Sequence, residues 1–212
     1  MPRILDQEID KKLKSIGAIL IEGCKWCGKS TTASMHVKTI LELQNVDDKA
    51  RFDMIAKTKP SLFLEGEKPI LIDEWQMYPV IWDAIRNDVD HSGLQGEYIL
   101  TGSATPNEGM TMHRGTGRIA RMLMRPMSLY ESGESDGQIS LNDLFLKKQG
   151  MGAKSQMTFD ELIYLILRGG WPNAKKIEKE FSLEVAKDYY QSLIHENISL
   201  TQEKEFNSNR LD

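Results

Sequence analysis

Apolar residues fall in short blocks separated by polar, helix-compatible stretches. Ala18-Ile19-Leu20-Ile21, Ile70-Leu71-Ile72 and Tyr98-Ile99-Leu100 are continuous apolar runs of strand length. Such runs mark strands buried on both faces. The pattern predicts strands over 17–22, 39–44, 69–73, 97–101 and 118–124. Helices are expected near 7–15, over 29–37 and over 47–59, with 60–64 irregular. Val80, Ile81, Ala84, Ile85 and Val89 repeat at helical spacing within a helix expected over 78–90. Strands alternating with helices argue for an α/β fold, a mostly parallel sheet sandwiched by helices.

Beyond Pro126 the pattern changes. Residues 132–138 form a polar, Gly-containing linker, and Ser140 opens a short helix over 141–149. After a break at 150–156, Thr158-x-x-Glu161 is a capping box ahead of Leu162, Ile163, Leu165 and Ile166, closed by Gly169-Gly170. A longer amphipathic helix is expected over 178–196. The organisation expected is a core over 1–130, a small helical appendage over 131–200, and a polar tail over 201–212 where apolar periodicity is lost. Trp171-Pro172 is expected to pack this appendage rather than to bind anything.

Composition excludes some classes and selects none. The chain has 212 residues, 40% apolar and 27% charged, with a net charge of −4. That balance is ordinary for a globular protein and gives no global pull toward nucleic acid or an anionic membrane. Apolar runs are far too short to span a bilayer, and the first residues carry no apolar signal core. A cytoplasmic protein with no membrane partner is the expectation. The two cysteines form Cys24-x-x-Cys27. Alone this suggests a redox dithiol or half a zinc site, but no second pair exists, and His36, His91, His113 and His195 are far apart. Both positions read better as variable slots of a loop, whose oxidation would distort it.

That loop carries the strongest chemical signal. Gly23-Cys24-Lys25-Trp26-Cys27-Gly28-Lys29-Ser30 is a full G-x-x-x-x-G-K-S phosphate-binding loop. A chance match is the rival explanation, but an apolar strand leads in and a helix-compatible stretch, beginning Thr31-Thr32, leads out. The glycines let successive N–H groups face phosphate oxygens, and the following helix start adds partial positive charge. Lys29 is expected to reach the β- and γ-phosphates of ATP, and Ser30 to ligate Mg²⁺. Residues 23–31 are therefore the expected nucleotide contacts.

The strand ending in Asp73-Glu74 supplies the second half. Strand-end carboxylates sit where ligands bind in open α/β sheets. Asp73 is expected in the Mg²⁺ shell, and Glu74 as the general base for the attacking water. A helix cap is the plainer alternative for Asp73. The sequence Asp73-Glu74-Trp75-Gln76 lacks the Asp-x-x-Gly of a GTPase switch, and no Asn-Lys-x-Asp motif occurs. Further on, Arg114, Arg118, Arg121 and Arg125 fall close together with no acid between them. A solvated basic edge, a phosphate contact of nucleic acid and a catalytic arginine all remain open.

Several phrases together carry a resemblance: Glu22-Gly23-Cys24-Lys25-Trp26-Cys27-Gly28-Lys29-Ser30, Leu64-Glu65-Gly66-Glu67-Lys68-Pro69, Ile72-Asp73-Glu74-Trp75-Gln76, Leu100-Thr101-Gly102-Ser103-Ala104-Thr105-Pro106, Gly115-Thr116-Gly117-Arg118-Ile119-Ala120-Arg121, Arg125-Pro126-Met127-Ser128 and Gly169-Gly170-Trp171-Pro172. The chain resembles prokaryotic AAA family ATPases that carry a C-terminal domain of unknown function. Members often have Pro where this chain has Cys24. The resemblance implies a P-loop NTPase (AAA+-like) core followed by a helical lid that moves with hydrolysis. It implies that Ser103, then Thr101, contacts the γ-phosphate or the lytic water. It also implies an arginine finger or sensor role for Arg118, an arginine that in such ATPases often reaches a neighbouring subunit, so a homo-oligomer is one candidate partner, with its own site or a neighbour's both open. Members are about twice as long, so a truncated product missing a C-terminal domain is expected. The function implied is an ATPase acting as a molecular switch. A non-hydrolysing nucleotide-binding fragment and a DNA-associated ATPase are the alternatives.

Overall fold

The computed structural model describes residues 2–102, 115–146, 152–192 and 194, and in it the apolar blocks become a parallel sheet of five strands. β1 (Ala18–Glu22), β2 (Thr39–Glu42), β3 (Ile70–Asp73), β4 (Tyr98–Gly102) and β5 (Ile119–Leu123) lie in the order β2-β3-β4-β1-β5. Every pairing is parallel.

The continuity of the apolar runs follows from burial on both sides. Ala18, Leu20, Ile70, Ile72, Tyr98 and Leu100 join one core cluster, whereas Ile19, Ile21, Leu71 and Ile99 join another. Successive strand residues point to opposite faces, so both sets must be apolar. The first cluster includes Phe52 of α3 (Lys49–Thr58) and Ile81, Trp82, Ile85 and Val89 of α4 (Val80–Ser92). The second includes Ile9 of α1 (Ile4–Leu13) and Ala33 of α2 (Lys29–Ser34). Helices thus cover both faces of the sheet, an α/β architecture.

Several boundaries differ from the sequence pattern. α1 starts earlier than residue 7, where the Arg3 N–H donates to the Asp6 carboxylate at 2.7 Å and opens the helix. α2 stops at Ser34 rather than near Val37. The Ser34 hydroxyl donates to the Thr31 carbonyl, and such local bonds compete with helix propagation. Residues 60–64, expected to be irregular, form a 3₁₀ turn with Pro60 in its first turn, where the missing N–H costs nothing. α4 begins at Val80, after Pro79, and ends at Ser92, capped by Gly93 in the left-handed region.

The chain divides into two compact units, 1–126 and 127–212. The second contains α5 (Leu141–Phe145), α6 (Phe159–Arg168), α7 (Pro172–Lys176) and α8 (Ser182–Ser192), with α6 and α7 both packed on α8. α5 is shorter than expected, and residues 147–150 lie outside the described ones. Of the helix expected over 178–196, Ser182–Ser192 is helical, and residues 193, 195 and 196 lie outside the described ones. α6 has the expected capping box, Thr158 Oγ1 accepting from the Glu161 N–H at 3.3 Å. Trp171 stacks on Tyr189 at 4.6 Å between centroids. Among the described residues no helix is long and apolar enough to cross a membrane.

Candidate functional site

Strand register brings distant residues to one edge. Glu22, the last residue of β1, lies opposite Gly102, and Ile21 opposite Thr101. Ile72 of β3 lies opposite Leu100. The loop after β1, the acids closing β3 and the end of β4 therefore share the carboxyl edge of the sheet, where open α/β folds place ligands.

The loop is held tightly from behind. A Cβ on Gly23 would lie 2.2 Å from the Met124 carbonyl oxygen, so only glycine allows this approach. Gly28, at φ 100°, precedes α2, whose first residue is Lys29. Lys29 is buried, and its Nζ donates to the Gly23 and Cys24 carbonyls at 2.9 Å each. The ammonium is thereby folded across the loop. Lys25, Trp26 and Thr31 are exposed. Both cysteines are free thiols, Cys24 half-buried and Cys27 buried. Burial pushes the Cys27 thiol pKa up, against the opposing charge of Lys29. Arg3 supports the loop from outside, one guanidinium nitrogen donating to the Cys27 carbonyl and another to that of Arg125, each at 2.7 Å. His36 contacts Asp10 at 2.8 Å and Asp6 at 3.3 Å, tying the end of α2 to α1.

The acidic side is assembled around Asp73. The Ser30 hydroxyl donates to Asp73 Oδ1 at 2.6 Å, and the fully buried Thr101 hydroxyl donates to the same oxygen. The Glu74 N–H donates to Thr101 Oγ1 at 3.4 Å. Glu74 lies in the left-handed region at φ 55°, uncommon for a non-glycine residue and costing on the order of 1 kcal/mol. The Gln76 amide donates to Glu74 Oε2. Ser30 and Asp73 form a pair of hard oxygens, the donor type that suits magnesium. Among the described residues no cluster of three or more His, Cys, Asp or Glu ligands occurs. Magnesium needs none, since it binds through one or two protein oxygens together with substrate phosphates and water.

The structure thus brings together Gly23, Cys24, Cys27, Gly28, Lys29, Ser30, Asp73, Glu74 and Thr101. Arg118 is not among them. Its carbonyl accepts from the Ala18 N–H at the amino edge of the sheet, opposite the loop. Its side chain pairs with Asp90 at 2.6 Å. Arg121 pairs with Glu22 at 3.1 Å. Ser103 and Arg114 lie outside the described residues. Sequence reasoning assigned nothing to Gln76 and Arg3. Gln76 stands two residues after Glu74, a spacing that could have drawn attention. Arg3 contacts residues 24 and 122 positions away, and no local signal marks it.

A family model described as an AAA domain matches residues 15–133, more than half of the chain, including the loop, the acidic pair and all five strands. Among solved structures the chain is similar to PCH-2 of C. elegans, with 14% identity and a TM-score of 0.34. That match covers 94% of this chain and 61% of the other, so the chain spans less than two thirds of that protein. No curated protein matches.

Proposed function

This chain belongs to the AAA domain family, and from that premise we propose that it binds ATP with Mg²⁺ and hydrolyses it as a molecular switch. The observation that carries the proposal is the 2.6 Å hydrogen bond between Ser30 and Asp73, residues far apart in sequence but adjacent at the loop. Loop amides would receive the phosphates, with the Lys29 ammonium moving from its carbonyl partners to the β- and γ-phosphate oxygens. Ser30 and Asp73 would hold the magnesium ion, which neutralises phosphate charge when bound. Thr101 fixes the Asp73 carboxylate. Glu74 would take a proton from water while the water oxygen bonds to the γ-phosphorus and the bridging P–O bond breaks, leaving ADP and phosphate.

Arg118 would serve a neighbouring subunit's site rather than its own, because it lies at the opposite sheet edge. Ser103 stays a candidate γ-phosphate contact, and residues 131–200 a candidate lid. A DNA-associated role is the second reading, set behind the first because the net charge of −4 gives no pull toward nucleic acid and Arg121 already pairs with Glu22.

Phosphate release by the full chain against Glu74→Gln, beside calorimetric ATP binding by wild type and Lys29→Ala, tests the proposal. Wild type should turn over, Glu74→Gln should bind ATP without turnover, and Lys29→Ala should bind poorly. Equal background release from wild type and Glu74→Gln, with ATP still bound, would establish a binding module instead. No ATP uptake by wild type would overturn the proposal altogether.

A further inference from the structure

We infer that Gln76 is the positioning residue for Glu74: its amide holds the carboxylate in the orientation that receives a proton from the attacking water. The inference rests on the hydrolytic reading above and adds a residue to it.

The backbone makes the contact. In an extended strand, residues 74 and 76 would project side by side, and on a helix positions two apart do not face each other. Here Glu74 turns into the left-handed region and the chain enters a 3₁₀ turn, Trp75–Met77. Bonds from the Met77 N–H to the Glu74 carbonyl at 3.0 Å and from the Tyr78 N–H to the Trp75 carbonyl at 3.1 Å close it. The turn swings residue 76 back onto the carboxylate. Trp75 anchors it, wholly buried and packed on Trp82 at 5.0 Å between centroids.

The chemistry fixes which way the amide faces. An ionised carboxylate only accepts, so Gln76 must present Nε2 to Glu74. That choice leaves Gln76 Oε1 buried without a hydrogen-bond partner, as is Trp75 Nε1 beside it. An orphaned buried acceptor is costly, and a charge-assisted bond to a carboxylate is of the strength that offsets it. Gly102, at the end of β4, makes room for this arrangement. A Cβ there would lie 2.7 Å from Gln76 Oε1 and 3.2 Å from Trp75 Nε1. With Oε2 engaged by the amide, Oε1 is the oxygen left to take the proton.

The test measures kcat, KM and ATP affinity of the full chain with Mg²⁺. Gln76→Met keeps the length and bulk but removes the donor. It should lower kcat by about tenfold or more, while KM and the ATP Kd change by less than about twofold. Gly102→Ala, which pushes the amide away, should lower kcat in the same direction. Glu74→Gln/Gln76→Met should be no slower than Glu74→Gln alone, because Gln76 acts through Glu74. Wild-type kcat in Gln76→Met, a faster rate, an equal loss in ATP affinity, or a further loss in the double variant would each overturn the inference. Those outcomes leave hydrolysis itself standing. If wild type binds ATP but releases phosphate no faster than Glu74→Gln, the hydrolytic reading falls and this inference with it.

Discussion

Arg118 is anchored to Asp90, its Nε donating to Oδ1 at 2.6 Å, on the sheet edge opposite the phosphate loop. The hydrogen bond from Arg118 holds the Asp90 carboxyl below the usual carboxylate range. On the proposed reading, Arg118 acts on ATP in another copy of the chain. Wild-type turnover per chain should therefore rise with protein concentration, and Arg118→Ala should abolish that rise while leaving ATP affinity unchanged. A concentration-independent rate, equal in wild type and Arg118→Ala, removes the finger role.

Thr101 is buried, donates to Asp73 and accepts from the Glu74 N–H. Thr101→Val keeps the shape but leaves both groups short of a partner. Stability should fall by about 1–3 kcal/mol, read as a lower denaturant midpoint. The Mg²⁺ concentration for half-maximal ATP hydrolysis should also rise, because Asp73 loses the hydroxyl that orients it.

Ligand binding should be visible in thermal stability. At ATP concentrations about a hundred times the Kd, wild type with Mg²⁺ should gain about 2.7 kcal/mol. Lys29→Ala should lose most of that gain at the same concentration. A melting temperature unmoved by Mg-ATP in wild type would contradict a nucleotide site.

The two loop thiols should react unequally. Cys27 is buried, and burial keeps it protonated to higher pH than a free thiol, whereas Cys24 is half-buried. Iodoacetamide at neutral pH should modify Cys24 first, with Mg-ATP slowing the reaction. Mass spectrometry of the digested protein would show which thiol carries the label.

In the second unit, buried Arg168 donates to Glu134 at 2.7 Å. Burial raises the Glu134 pKa, but hydrogen bonds from Arg168 and Ser132 and the charges of Arg168 and Lys175 outweigh it, and the net shift is downward. A carboxyl with a depressed folded pKa stabilises the fold above its unfolded value and loses that contribution as pH falls through the folded one. Stability should thus decline below about pH 4.5, the ordinary glutamate range. Glu134→Gln, which removes the negative charge facing Arg168, should lower stability at neutral pH and flatten that decline.

The amino-acid sequence by itself determined the parts that depend on neighbours along the chain. Runs such as Ala18-Ile19-Leu20-Ile21 announced strands because burial on both faces demands an apolar residue at every position. The loop from Gly23 to Ser30 was legible because a phosphate cradle is built from consecutive residues. Local competition hid finer points, such as the end of α2 at Ser34, where a serine hydroxyl takes a helix carbonyl. Only the tertiary structure decided what meets what. Ser30, Asp73 and Thr101 converge because β4 lies between β1 and β3, and strand order is settled by packing that no short window contains. Arg118 stands at the amino edge because it precedes β5, which runs parallel to β1; what only the fold supplies is its partner, Asp90 of α4. Gln76 reaches Glu74 only through a left-handed glutamate, a conformation that residue type does not favour and that the surrounding fold must impose.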